Sequence, residues 1–247
     1  MGPVDFIYLD PARRDEHGSR TYAIEDCTPN VLELRDLLLA KSQYTLVKLS
    51  PMLDWRKAVA DFDGTVREVH IVATGNECKE LLLVLGQQVH EEPSAPRVFC
   101  VNDNQRIDYD SAAYTQGLRI GGKPLPEAKN YLYEPNASIM KAGCFDLVEE
   151  RFGVTQVGPS SHLFVSATPV ADFPGRGFAI EAIGGMNKKD IKRLLNGTKQ
   201  ANIAVRNFPL TAPQLRKKLK LADGGPVYLF GTTMQGCDHV LLRTSKI

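Results

Sequence analysis

The chain has 247 residues, 43% hydrophobic and 24% charged, which suffices for two domains or one large one with a packed core and excludes wholesale disorder. No apolar run is long enough to span a bilayer, and the opening MGPVDFIYLD does not read as a signal peptide. Five scattered cysteines without a C-x-x-C (Cys27, Cys78, Cys100, Cys144, Cys237) suit reduced thiols in a cytoplasmic protein better than a disulfide frame or a zinc site. On that reading the N-x-[ST] matches at Asn136 and Asn196 are chance. The net charge of +1 hides a split: residues 1–110 hold 12 Lys/Arg against 19 Asp/Glu, and residues 111–247 hold 18 against 10. Met186 to Lys220 carries ten basic residues and one acid, Asp190. Such a concentration marks a candidate surface for a polyanion.

In chain order, VDFIYLD at 4–10 reads as a strand buried on both faces, ending at Asp-Pro. PNVLELRDLLLAK at 29–41 has helical spacing, YTLVKLS at 44–50 is a strand stopped by Pro51, and LDWRKAVADF at 53–62 is a helix. VREVHIVA at 66–73 and RVFCVN at 97–102 are strands, and NECKELLLVLG between them is expected to be a short helix. This alternation predicts a largely parallel sheet with helices on its faces. The Asp/Gly/Pro/Gln-rich stretch 103–130 is the expected domain junction. Beyond it come a turn and one helix over 137–152, then strands at 161–167 and in GFAIEAIG. The helix NKKDIKRLLNG with Gly197 as its stop, the strand QANIAVRNF, the helix TAPQLRKKLKL and a closing hairpin complete the chain.

Asp10-Pro11 stands where ligands gather in open α/β sheets, beyond the carboxyl end of a strand. Asp10 can hold a donor group on a ligand, and Arg13 and Arg14 can reach a carboxylate or phosphate. The bland alternative is a strand-end Asp capping its turn. Lys48, Ser50 and Pro51 end the second strand on the same edge. They line the substrate side of a cleft, or Lys48 snorkels and Ser50 caps the next helix. Glu77, Lys79 and Glu80 read as a charged helix face. No G-x-S-x-G, no P-loop and no histidine spacing such as H-x-x-x-H occurs, which leaves hydrolase, nucleotide triphosphatase and metal readings without support.

Strand, D-P-A-R-R, helix and a strand ending in VKLSP resemble the later half of class I S-adenosylmethionine-dependent methyltransferases. In that family a [DN]-P-P-[YFWR]-like tetrapeptide lines the site where substrate meets the methyl donor. Asp10, Pro11, Ala12 and Arg13 stand there in this sequence. The second proline is alanine and the base-stacking aromatic is absent, which puts base N-methylation in doubt. DPARRD, LVKLSPMLD, NECKELL, YEPNASIMKAG, FPGR and VRNFPL together resemble a bacterial methyltransferase group with a THUMP-like C-terminal domain.

The resemblance implies an α/β fold: the C-terminal half of a Rossmann-like methyltransferase sheet, followed by an α+β ferredoxin-like plus THUMP-like region. The expected division is 1–105, 106–173 and 174–247. It also implies that Asp10, Pro11, Arg13 and Arg14 are catalytic, that Asp10 touches the cofactor S-adenosylmethionine, and that RNA, usually tRNA, is the partner. The family's donor grip is a glycine-rich loop after a first strand, and the pairs Gly121-Gly122, Gly184-Gly185 and Gly224-Gly225 do not sit in that context. The chain is therefore expected to be the C-terminal portion of a longer methyltransferase, inactive alone, with residues 4–10 left as an edge that pairs with a second copy.

Lys188, Lys189, Lys192 and Arg193 share a helix face, Lys217 and Lys218 follow with Arg216 and Lys220, and Arg206 lies between the two groups. Grouping of this kind releases counterions on binding phosphates. A solvated lysine face is the alternative. Phe208 and Tyr228 are the only plausible stacking residues there, and Asn136 is expected to cap the helix that follows it. The rival to an enzyme is a non-catalytic RNA-binding module working through this basic region.

Overall fold

A computed structural model describes residues 2–12, 24–87, 95–113, 130–236 and 238–247. They form a mixed α/β protein of two compact units, residues 1–116 with 137–143, and residues 117–136 with 144–247. Among the described residues no helix is long and apolar enough to cross a membrane. Of the cysteines there, Cys27, Cys100 and Cys144 are buried and Cys78 is partly so.

The first unit is built on β1 (Val4–Leu9), β2 (Ser42–Leu49), β3 (Val66–Thr74), β4 (Glu77–Gly86), β5 (Arg97–Asn102) and β6 (Gln105–Asp110), in the order β1-β2-β4-β3-β5-β6. Helix α1 (Val31–Lys41) links β1 to β2, and α2 (Trp55–Asp61) links β2 to β3. The sheet is mixed rather than largely parallel: β1 and β2 run parallel, as do β3 and β5, and the other pairs are antiparallel.

The difference begins at NECKELLLVLG, which is strand β4 and not a helix. Gly75 and Asn76 both take positive φ, 57° and 62°, the geometry of a tight hairpin turn that reverses the chain directly into β4. Leu81, Leu83 and Leu85 then alternate into the core. The continuous leucine run covers both faces, so it has no period that distinguishes strand from helix.

Nor is β1 buried on both faces. It is the sheet's edge strand, with Phe6 and Tyr8 54% and 53% exposed, because β2 is its only neighbour among the described strands. Asn30 caps α1, its side chain accepting from the Leu32 and Glu33 amides. The expected single helix over 137–152 is two, α3 (Ala137–Ala142) and α4 (Phe145–Phe152), broken where Gly143 turns left-handed (φ 68°). α3 belongs to the first unit: Asn76 Oδ1 accepts from the Ala137 amide (2.8 Å), and Trp55 Nε1 donates to the Ala142 carbonyl (3.3 Å).

The second unit holds β7 (Tyr131–Pro135), β8 (Thr155–Gln156), β9 (Phe164–Ser166), β10 (Gly175–Gly184), β11 (Asn202–Arg206), β12 (Val227–Thr233) and β13 (His239–Lys246), in the order β11-β12-β13-β10-β7-β9-β8. Of these pairs only β11 with β12 is parallel. Alternation sorts the side chains cleanly. On one face Leu132, Phe178, Phe230 and Leu242 form a core with Val157, Leu163 and Val165. On the other, Leu229 and Leu241 meet Leu194 of α5 (Lys188–Leu195) and Leu215 and Leu219 of α6 (Ala212–Leu219). Phe208 belongs to this second core and Tyr228 packs on Phe178 in the first, so both expected stacking residues serve packing.

β10 runs so close to β7 that a Cβ on Gly175 would stand 2.1 Å from the Glu134 carbonyl oxygen. Backbone cannot yield as a side-chain tip can. Gly175→Ala is expected to destabilise the chain by about 1–3 kcal/mol, read as a lower urea midpoint. An unchanged midpoint contradicts this close approach.

Candidate functional site

Two clusters of polar groups are built by the fold, one in each unit. In the first, parallel pairing sets the carboxyl ends of β1 and β2 side by side, with Leu9 opposite Val47. Lys48 Nζ donates to Asp10 Oδ2 at 3.0 Å and lies 3.6 Å from Glu80 Oε1 on the neighbouring β4. The Asp10 hydrogen bond holds the Lys48 ammonium above its ordinary value of 10.5; burial opposes this and the nearby Glu80 carboxylate adds to it. Lys48 is therefore charged at neutral pH and pairs with acids rather than snorkelling.

Pro11 is buried behind Asp10, and Ala12 is tied by two backbone hydrogen bonds to Thr28, 2.8 and 3.1 Å. Asp10, with its side chain 47% exposed, is thus held at a fixed strand end and open to a ligand. Ser50 does not cap α2. Asp54 does, accepting from the Arg56 amide at 2.9 Å, while the Ser50 hydroxyl accepts from the Met52 amide. Cys78 on β4 has its thiol pushed up by burial, so it is not a thiolate nucleophile at neutral pH. Arg13 and Arg14 lie outside the described residues. Among the described residues no three His, Cys, Asp or Glu side chains come together to hold a metal ion.

In the second unit the basic residues divide by type. Arg193 donates to the Ile183 carbonyl (2.7 Å) and pairs with Asp190 (3.2 Å). Arg216 donates to the Ala201 and Ala222 carbonyls and pairs with Asp223. Arg243 closes the last turn of α5, donating to the Leu194 and Leu195 carbonyls, and pairs with Glu181. These arginines fasten the helices to the sheet. Lys188, Lys189 and Lys192 on α5, and Lys217 and Lys218 on α6, are exposed. Both helices lie over the same face of the sheet, since their leucines share one core, and their lysines form the outer surface there.

Arg206 does not belong with these lysines. Its neighbour Val205 packs toward α6, and alternation sends Arg206 to the opposite face. There it meets a group that sequence reading missed: Glu134 at the end of β7. Glu134 is 3% exposed; Arg206 Nη2 donates to its Oε1 at 2.8 Å, and Arg176 donates to its Oε2 from Nε at 3.0 Å and again from Nη2. His162 lies beside them with its ring flat on Phe145, centroids 4.4 Å apart. Burial, and then the Arg206 cation, push the His162 pKa below its ordinary 6.5. Sequence reading named Arg206 alone as a site residue; Glu134 and Arg176 entered only inside the strings YEPNASIMKAG and FPGR.

Set against known proteins, residues 131–174 match a ferredoxin-like domain family and residues 175–246 a THUMP domain-like family. The chain is similar to the crystal structure of a putative methyltransferase from Porphyromonas gingivalis W83, at 35% identity and a TM-score of 0.85. The match covers 98% of this chain and 59% of that one, so the chain spans under two thirds of its relative's length. No curated protein matches the sequence.

Because the folded chain disfavours the His162 proton, the unfolded chain binds it more tightly. The resulting stability is fully present above pH 6.5 and is lost as pH falls through the lower folded value. Urea midpoints from about pH 7.5 to about pH 5 are expected to fall more steeply for the parent chain than for His162→Asn. Parallel profiles contradict the assignment.

Proposed function

We propose that this chain is the substrate-handling part of an S-adenosylmethionine-dependent methyltransferase directed at RNA, acting in the cytoplasm. The observation that supports it most is the similarity over 98% of the chain to the Porphyromonas gingivalis protein, combined with a fixed Asp-Pro strand end and a lysine-faced THUMP-like region. Residues 4–110 supply strand ends like those of the later half of a Rossmann-like sheet. The working division of the chain remains 1–105, 106–173 and 174–247.

Asp10 and Pro11 form the wall at which the acceptor group is placed, and Asp10 accepts a hydrogen bond from it. Lys48 orients Asp10 through their hydrogen bond. Arg13 and Arg14 steer an anionic substrate toward this wall. Methyl transfer to a nucleophilic acceptor depends chiefly on positioning, and fixing a carboxylate at a strand end contributes that.

The donor itself does not fit the described residues. Gly64, Gly75, Gly143, Gly153, Gly197, Gly224, Gly225 and Gly236 take positive φ in turns and at helix ends, and none forms a strand–G-x-G–helix grip. We infer that the donor grip comes from outside the described residues and that the chain alone does not methylate. The exposed β1 edge, with Phe6 and Tyr8 open, is a pairing surface at which two isolated chains would join.

RNA binding rests on Lys188, Lys189, Lys192, Lys217 and Lys218, with tRNA the first candidate. The second reading, an RNA-binding module without catalysis, is favoured by the same lysine face and makes no use of Asp10.

Calorimetric titration with S-adenosylmethionine is expected to show no heat; saturable binding would place the donor site within this chain and overturn that inference. Replacing the five lysines with glutamine should weaken RNA binding and lower the slope of log affinity against log salt by up to about one per lost phosphate contact. An unchanged slope sinks the lysine assignment.

A further inference from the structure

The geometry points to a second anion site: Arg176 and Arg206, held by the buried Glu134, form a seat for a phosphomonoester on the face of the second sheet opposite the lysine-bearing helices. It is independent of the lysine face, because strand alternation puts Arg206 on the other side of the sheet from α5 and α6.

Four observations carry it. First, one carboxylate serves two guanidiniums, so the cluster keeps a positive excess. A guanidinium carries five N–H donors in a fixed fork, more than Glu134 can engage. Second, the two arginines are held by Glu134 yet stay reachable, their side chains 43% and 39% exposed. Glu134 fixes both guanidiniums in place, with Arg206 also donating from Nη1 to the Val205 carbonyl at 3.4 Å, and planar forks held in this way match the oxygens of a phosphate.

Third, Arg206 Nε and Thr232 Oγ1 are buried without a hydrogen-bond partner. The two residues are register partners on β11 and β12, and Thr232 is wholly buried. Unsatisfied buried donors are uncommon in native structures and call for an explanation. Both atoms are closed to solvent, so no ligand reaches them directly; they leave the Arg206 charge only partly answered from within. Fourth, His162 sits beside Arg206 with a positive φ of 51°, a backbone state that non-glycine residues seldom occupy.

Two sources offer the ligand: a free phosphomonoester, or the phosphorylated end of an RNA. Both are tested on the full 247-residue chain by following the His162 ring signals in NMR. Inorganic phosphate is titrated at constant ionic strength, followed by one short RNA with a 5′-phosphate and the same RNA with a 5′-hydroxyl.

Phosphate is expected to shift the His162 signals saturably while His70 stays still. Arg176→Lys and Arg206→Lys keep Glu134 paired but lose the fork, and each is expected to weaken phosphate binding about tenfold or more. If the phosphorylated RNA binds more tightly than the hydroxyl form, the source is an RNA end. If phosphate binds and the two RNAs do not differ, the source is a free phosphomonoester. The phosphate arm decides the seat even where RNA binding by the lysine face fails. A His162 signal indifferent to phosphate, or a response unchanged in both lysine variants, overturns the proposal.

Discussion

Glu134 sets the form of the second unit. It stands on β7, and one of its two arginine partners, Arg206, ends β11, four places away in the strand order. In a flat sheet four strand spacings amount to about 19 Å, beyond the combined reach of the two side chains. A 2.8 Å contact therefore requires the sheet to curl toward this face. Phe178, Phe230, Leu132 and Leu242 pack on this face, where the Arg176 guanidinium stands over the Phe178 ring at 5.7 Å. Burial of the Glu134 side chain is offset by charged donors on both of its oxygens.

The same curl separates the cations by role. The outer face is taken by α5 and α6, whose leucines need the sheet and whose lysines do not. Arg193, Arg216 and Arg243 bond backbone carbonyls at the helix and strand ends, where a planar fork can satisfy several acceptors at once. The lysines, compact charges on flexible stems, are left to solvent and to whatever polyanion approaches. A basic sequence segment thus resolves into fasteners, a candidate backbone-binding face and, on the far side, a recessed arginine pair.

What the sequence made legible follows from the range of the interactions. The strands at 66–74 and 97–102, the helices α5 and α6 and the closing β12–β13 pair were readable, because their signals are local periodicity and local caps such as the Thr211–Gln214 capping box. So was the closeness of Asp10 and Lys48, because parallel strands bring their carboxyl ends together. β4 was misread because an unbroken run of leucines fits both strand and helix, although Gly75-Asn76 held the hairpin signal. The break at Gly143 was missed because apolar spacing continues across it. Ser50 was given the capping role of Asp54, four residues on. Glu134, Arg176 and His162 drew no site assignment for a stronger reason: Glu134 lies 42 residues from its cross-strand partner Arg176 and 72 from Arg206, which only the curl of the sheet brings to it.

The most direct test of RNA binding by the lysine-faced helices is lysine footprinting: amine-reactive labelling read by mass spectrometry, with and without a bound tRNA. Protection is expected at Lys188, Lys189, Lys192, Lys217 and Lys218, with Lys57 and Lys79 in the first unit labelled equally in both states. Protection confined to Lys57 and Lys79, or none at the five helix lysines under saturating RNA, would contradict that assignment.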